Sequence, residues 1–304
     1  MRAALIAAKE TMAPLWVLAG IIRELTKARL TALVLITTLA GFFVARSGGA
    51  DWLAGLHVLI GTALVAAGAA ALNEWWERDL DRLMERTATR PLPSGQVEPW
   101  FALGLGVLFS LGGVVYLAWV VNGLTAVLGA VALVSYVLIY TPLKRLTPLN
   151  TLVGAVPGAL PPLMGWTAAR GEMGAGGLGL FGILFLWQIP HFLAIAWLYR
   201  EQYARAGFRM LPVVDPEGRA TGWITLVSSV ALLVVSLVPV WVGVAGAAYA
   251  GGAVALGLAF AWTGWRFTME LDRRRARMVF FASIIYLPML LGLLMTDNVL
   301  RSVF

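Results

Sequence analysis

The chain of 304 residues has no cysteine and only two histidines, His57 and His191. Disulfides, thiolate metal centres and a cysteine nucleophile are excluded, and so is a histidine-rich metal site. Charge is scarce as well: Asp, Glu, Lys and Arg supply 13% of the residues, about half the share usual in soluble domains. No low-complexity linker or separate soluble domain is visible, and no like-charge run exceeds Arg273 to Arg275.

What remains is apolar, 60% of the chain, and it reads as one multi-pass membrane domain. A net charge of +7 would suggest nucleic acid in a soluble protein. Here basic residues flank apolar runs, which topology and lipid headgroups explain more simply. The lipid bilayer is the expected partner, and nucleic acid is not.

Runs long enough to cross roughly 30 Å of hydrocarbon fall at 29–46, 53–72, 100–121, 123–140, 149–167, 177–198, 221–243, 247–264 and 279–296. That predicts an all-α fold of nine transmembrane helices. Residues 1–28 then form a cytoplasmic lead-in and 29–304 the membrane domain. Long, charged, aromatic loops follow the second and sixth runs, and shorter basic ones the fourth and eighth, which suggests two four-helix pseudo-repeats. Twenty of the 23 Lys and Arg residues fall on one side of this arrangement, leaving Arg46, Arg170 and Arg301 opposite. The positive-inside rule places the N-terminus and charged loops in the cytoplasm and the C-terminus outside.

The stretch "ALNEWWERDLDRLMERTATRPLPSG" (71–95) carries nine charged residues between 74 and 90. At about 2.5–3.5 kcal/mol per central charge, they cannot face lipid. Asn73, Glu77 and Asp81 follow one another at four-residue intervals and form one slowly turning stripe on a helix; Glu74 and Asp79 lie off it. Carboxylates with an amide oxygen suit a hard cation such as Mg²⁺. Arg86 and Arg90 follow, and the planar fork of arginine suits phosphate oxygens. A solvated helix laced with ion pairs to Arg78 and Arg82 would look similar, and both readings stand at this point. A transporter or lipid-binding membrane protein is the reading from another class.

The segment "NEWWERDLDRLMERTATRP" (73–91) resembles the first aspartate-rich motif of the UbiA-type intramembrane prenyltransferases, in the form carried by their protoheme farnesyltransferase branch. "YTPLKRLTPLNTLVGAVPGALPPLMGW" (140–166) and "WQIPHFLAIAWLYREQYARAGFRMLPV" (187–213) carry the same stamp, in the same order. The resemblance implies a nine-helix bundle in which Mg²⁺ holds the diphosphate of farnesyl diphosphate at a cytoplasm-facing cavity. The acceptor it implies is heme b, whose 2-vinyl group takes the farnesyl chain to give heme O. A quinone precursor is the alternative acceptor, and a heme A synthase comes into view as a docking partner.

By position in the motifs, Asn73, Glu77 and Asp81 match metal-binding residues, Arg86 and Arg90 match diphosphate contacts, and Tyr140 with Lys144 matches a polar pair beside them. His191, inside a span, is a functional candidate, as iron ligand or as donor to a heme propionate. Tyr199 and Tyr203 stand where the quinone branch has its second pair of aspartates. Two departures stand out: Glu77 replaces the usual Asp, and Gln202 replaces the usual acid before Tyr203. Trp75, Trp76, Tyr140, Trp197, Tyr199 and Tyr203 are candidates for facing an allylic cation, Tyr199 and Tyr203 as substrate-binding residues.

Overall fold

The computed structural model describes residues 15–46 and 52–303, which are helical apart from turns and contain no strand. The start of the lead-in, with Arg2 and Lys9, lies outside the described residues. A short helix α1 (Leu15–Leu25) leads into α2 (Ala28–Ala45), α3 (Trp52–Asp81) and α4 (Pro99–Tyr116). Then come α5 (Gly123–Val134), α6 (Asn150–Arg170), α7 (Ala175–Leu198), α8 (Arg219–Val235), α9 (Ala247–Met269) and α10 (Arg273–Val303). Helix α4 is prolonged by the π-helical stretch Leu117–Val121, and α5 by Ser135–Tyr140 and the short helix Thr141–Leu146.

Eight of these helices, with their prolongations, are long and apolar enough to cross a membrane, among the described residues. The ninth expected span is α6, long enough at 21 residues but rich in Gly, Pro and Thr. It need not be apolar because it faces protein: it packs on α2, α3, α5 and α7, and most of its residues are buried. Its ends lie at opposite ends of the bundle. Asn150 Nδ2 donates to the Arg209 carbonyl at one end (3.0 Å). At the other, the Thr167 carbonyl accepts from Asn122 Nδ2 (3.0 Å), and Arg170 Nε donates to the Ala45 carbonyl.

Backbone proximity explains the small residues of α6. A Cβ on Gly165 would lie 1.9 Å from the Thr38 carbonyl oxygen, and one on Gly41 would lie 2.0 Å from that of Pro162. Helices α2 and α6 thus touch through their backbones, as small residues permit inside a membrane bundle. The core divides in two. Phe42, Val58, Leu117, Leu160 and Met164 fill the space among α2 to α6. Leu180, Ile183, Phe260, Phe267 and Tyr286 fill that among α7 to α10.

Candidate active site

Helix α3 runs without a break from Trp52 to Asp81, so the acidic motif is its final turns. Asn73, Glu74, Glu77 and Asp81 are each 5% exposed or less, whereas the Asp79 side chain is 66% exposed. The ion-pair lattice of a solvated helix therefore belongs to Asp79, which lies 3.6 Å from Arg78 and 3.5 Å from Arg82. Glu77 and Asp81 take other partners. Glu74 joins the buried face because positions 74, 77 and 81 are spaced three and four apart, the other spacing that shares a helix face. A reading by fours alone passes over it.

Beyond Asp81 the chain leaves the helix, so Arg86 and Arg90 stand on turns rather than on a continued stripe. Thr87 Oγ1 caps the helix end by donating to the Asp81 carbonyl (2.8 Å), and Arg82 Nε donates to the Pro93 carbonyl (2.9 Å). The loop folds back, and Arg90 Nη1 returns to 2.8 Å from Asp81 Oδ2 and 3.9 Å from Glu74 Oε1. Arg86 goes elsewhere. Its Nη2 donates to the Tyr203 hydroxyl (3.4 Å), and its guanidinium lies 5.5 Å from the Tyr199 ring centroid.

From across the bundle, Lys144 brings its Nζ to 2.8 Å from Glu77 Oε1 and donates to Oε2 at 2.9 Å. The π-helical stretch before it sets Tyr136 and Tyr140 with ring centroids 5.5 Å apart. The Lys144 ammonium lies 4.7 Å from the Tyr140 ring centroid. Gly154 makes room for that ring, since a Cβ there would lie 2.5 Å from it. Such π turns are frequent at functional sites. Phe208 continues the wall, 5.8 Å from Lys144 Nζ and edge-on to Tyr203 at 6.0 Å.

A third cation, unforeseen in the sequence, comes from the turn between α1 and α2. Lys27 donates from Nζ to Asn73 Oδ1 (2.8 Å). It does so from a left-handed backbone conformation, φ 44° and ψ 51°, which costs a non-glycine residue of order 1–3 kcal/mol and is a mark of functional sites. Burial pushes its pKa down to about 8, against the opposing pull of Glu74. The only sequence signal was a lysine directly ahead of an apolar run.

The result is a buried polar cluster in which Lys27, Arg90 and Lys144 face Glu74, Glu77 and Asp81. Asn73 is its joint: Nδ2 donates to Glu77 Oε2 (3.0 Å) and to Thr141 Oγ1 (3.1 Å), while Oδ1 also lies 3.4 Å from the Tyr136 hydroxyl. Asn73 thus joins the Lys27 ammonium to the Glu77 carboxylate.

Residues 34–285 match the UbiA prenyltransferase family. The chain belongs to that family. It is 48% identical over 284 residues to the protoheme IX farnesyltransferase of Solibacter usitatus, covering 90% of this chain and 97% of that one. It is 47% identical over 282 residues to that of Myxococcus xanthus, covering 92% and 95%. Among solved structures it is similar in fold to a digeranylgeranylglyceryl phosphate synthase, with TM-score 0.79 and 17% identity over 92% of this chain and 98% of that one. A UbiA homolog from Archaeoglobus fulgidus bound to DMAPP and Mg²⁺ gives TM-score 0.68 and 16% identity over 90% and 98%.

The cluster offers oxygen donors alone, the set that hard cations take. Glu74 Oε2 is buried and accepts no hydrogen bond, so its lone pairs remain for a metal, whereas Glu77 Oε1 faces the Lys144 ammonium at 2.8 Å. Among the described residues no three acidic or histidine side chains converge into a cage. Carboxylates of this kind would hold Mg²⁺ only in part, with water and substrate oxygens completing its shell. In the family's second motif Glu201 is exposed, and no carboxylate replaces Gln202 beside Tyr203.

Not every candidate comes to the cluster. His191 lies on α7 against Ser283, Trp187 and Phe280. His57 bonds Tyr116 (2.7 Å) near the opposite end of α3. Trp75 packs on Leu25 and Leu92, Trp197 meets Phe267 edge-on, and Trp76 is exposed. Tyr136, Tyr140 and Phe208 supply the aromatic surface in their place.

Proposed function

We propose that this membrane prenyltransferase transfers the farnesyl group of farnesyl diphosphate to the 2-vinyl group of heme b, forming heme O and releasing diphosphate. The observation that carries the reading is the cluster of the buried carboxylates Glu74, Glu77 and Asp81 with Lys27, Arg90 and Lys144 beside them, in a chain about half identical to protoheme IX farnesyltransferases. An allylic diphosphate ionises when charge developing on the leaving oxygens is met by preorganised positive groups in a site of low dielectric. Lys144 and Arg90, now paired with carboxylates, and Lys27, now on the Asn73 amide oxygen, fill that role toward the diphosphate, and Arg86 meets the same anion from the Tyr199 and Tyr203 side.

Asn73, Glu77 and Asp81, with Glu74 beside them, would hold Mg²⁺, its shell completed by water and substrate oxygens. When bound, the ion supplies concentrated positive charge to the diphosphate oxygens. The C1–O bond breaks with its electron pair leaving on diphosphate, and the vinyl π electrons form the new carbon–carbon bond. Water then adds to the cation left beside the porphyrin and loses a proton, giving the hydroxyethylfarnesyl chain. Tyr136, Tyr140 and Phe208 present electron-rich faces near the ionising end.

The site opens toward the cytoplasm in this reading, because the basic loops gather at the carboxylate end of a multi-pass protein of the cytoplasmic membrane. The C-terminus then lies outside. A quinone precursor as acceptor is disfavoured by Tyr199 and Tyr203, where that branch uses carboxylates. Purified protein given heme b, farnesyl diphosphate and Mg²⁺ should yield a more hydrophobic heme on reversed-phase chromatography. Unchanged heme b with a folded protein would refute the assignment.

A further inference from the structure

His191 is outside the carboxylate cluster, yet hydrogen bonds and ring stacking hold it on three sides. Its Nδ1 lies 2.7 Å from Ser283 Oγ, and Ser283 Oγ donates to the Phe280 carbonyl at 2.6 Å. Trp187 Nε1 donates to the Ser283 carbonyl at 2.8 Å. The imidazole stacks on Trp187, with centroids 5.0 Å apart and planes at 18°, and on Phe280, at 5.3 Å and 24°. Ser283 is fully buried, whereas His191 is only partly so.

These contacts decide a proton. A serine hydroxyl has one hydrogen and a backbone carbonyl can only accept, so the bond to Phe280 uses the only hydrogen Ser283 has. Its oxygen must therefore accept from His191, and the proton of the neutral imidazole sits on Nδ1. Nε2 is left with a lone pair and with no hydrogen-bond partner among the described residues. With Nδ1 tied and the ring stacked, the Nε2 edge is the one left for a ligand. A lone pair cannot donate to a propionate, but it binds iron, and orientation by a hydrogen bond at the other nitrogen is how protein-bound imidazole ligands are held.

We propose that Ser283 is a positioning residue that fixes the tautomer and orientation of His191, and that Nε2 of His191 ligates the iron of heme b while it is bound as acceptor. This rests on the farnesyl-transfer reading above. The ligand would hold the porphyrin against α7 and α10, which carry His191 and Ser283.

The test is heme b titrated into the purified full chain without farnesyl diphosphate, followed by resonance Raman spectroscopy of the ferrous complex. The wild type should show an iron–histidine stretching band. His191→Ala should lose it and acquire an iron–imidazole band when imidazole is added. Ser283→Ala should shift the band and weaken heme affinity about 10- to 100-fold, the usual effect of removing such a partner, and Ser283→Thr should restore both. A band that persists in His191→Ala, or Ser283→Ala with wild-type band and affinity, overturns the proposal. Heme bound without any histidine band also overturns it while leaving the farnesyl-transfer reading intact. A wild type that binds no heme b would sink that reading too.

Discussion

Lys144 and Glu77 are 67 positions apart in sequence, yet the Lys144 ammonium lies within 3 Å of both carboxylate oxygens, at 2.8 and 2.9 Å. Their side chains are 14% and 6% exposed, so neither charge has water to fall back on. The contact ties α3 to the end of α5, and it holds the two groups that the proposed chemistry must separate.

Removing one member of this pair should be worse for folding than removing both. Lys144→Met strands a buried carboxylate, at about 3–5 kcal/mol, whereas a double change to neutral groups of similar volume is close to neutral. The thermal midpoint in detergent should fall for Lys144→Met and recover in Glu77→Gln/Lys144→Met. Product formation should be lost in both. Recovered activity in the double variant would mean that the pair is structural.

Arg90 reaches Asp81 (2.8 Å) and Glu74 (3.9 Å) through Nη1 alone, so the rest of its planar fork is left for phosphate oxygens, which an ammonium serves poorly. Arg90→Lys keeps the charge and should raise KM for farnesyl diphosphate by at least about tenfold, one lost charged hydrogen bond being worth about 1.5–3 kcal/mol. KM for heme b should not move. Steady-state kinetics varying each substrate in turn separate the two effects.

Arg86 is exposed and its contact with Tyr203 is long, 3.4 Å. Arg86→Gln should therefore leave the thermal midpoint nearly unchanged, within about 0.5 kcal/mol for a surface site, while raising KM for farnesyl diphosphate. Tyr203→Phe removes the acceptor and should give a smaller effect of the same sign. A stability loss without a kinetic one would place Arg86 in the scaffold instead.

Much of this was legible in the sequence. Apolar runs gave the spans, and the four-residue spacing of Asn73, Glu77 and Asp81 gave the stripe. The motif order pointed to Arg90, Tyr140 and Lys144. Spacing did not predict where helix α3 would end, so Arg86 and Arg90 looked like neighbours when the turn at Thr87 sends them to different partners. Lys27 was hidden because its role depends on a left-handed turn and a contact across 46 positions. Glu74 was passed over by too narrow a rule. The π-helical turn before Thr141 has no periodic signature, and α6 looked apolar enough to be an ordinary span when it is an interior helix.

Helix α6 makes a sharp packing prediction. Gly165→Ala would set a methyl group 1.9 Å from the Thr38 carbonyl oxygen, a backbone atom that cannot swing aside. The cost should reach or exceed the upper end of the roughly 1–3 kcal/mol usual for overpacking. The thermal midpoint should fall markedly, whereas Gly104→Ala, with open space around the new carbon, should leave it almost unchanged.

The central claim is that buried acids at the end of α3 accept a divalent ion together with the diphosphate. The most direct measurement is the binding isotherm of an unreactive farnesyl diphosphate analogue, with Mg²⁺ and with a chelator, for the wild type and Asp81→Asn. The wild type should bind tightly only with Mg²⁺, and Asp81→Asn should bind weakly whether or not the metal is present. Equal wild-type affinity with and without Mg²⁺, or full metal-dependent binding by Asp81→Asn, would contradict the account.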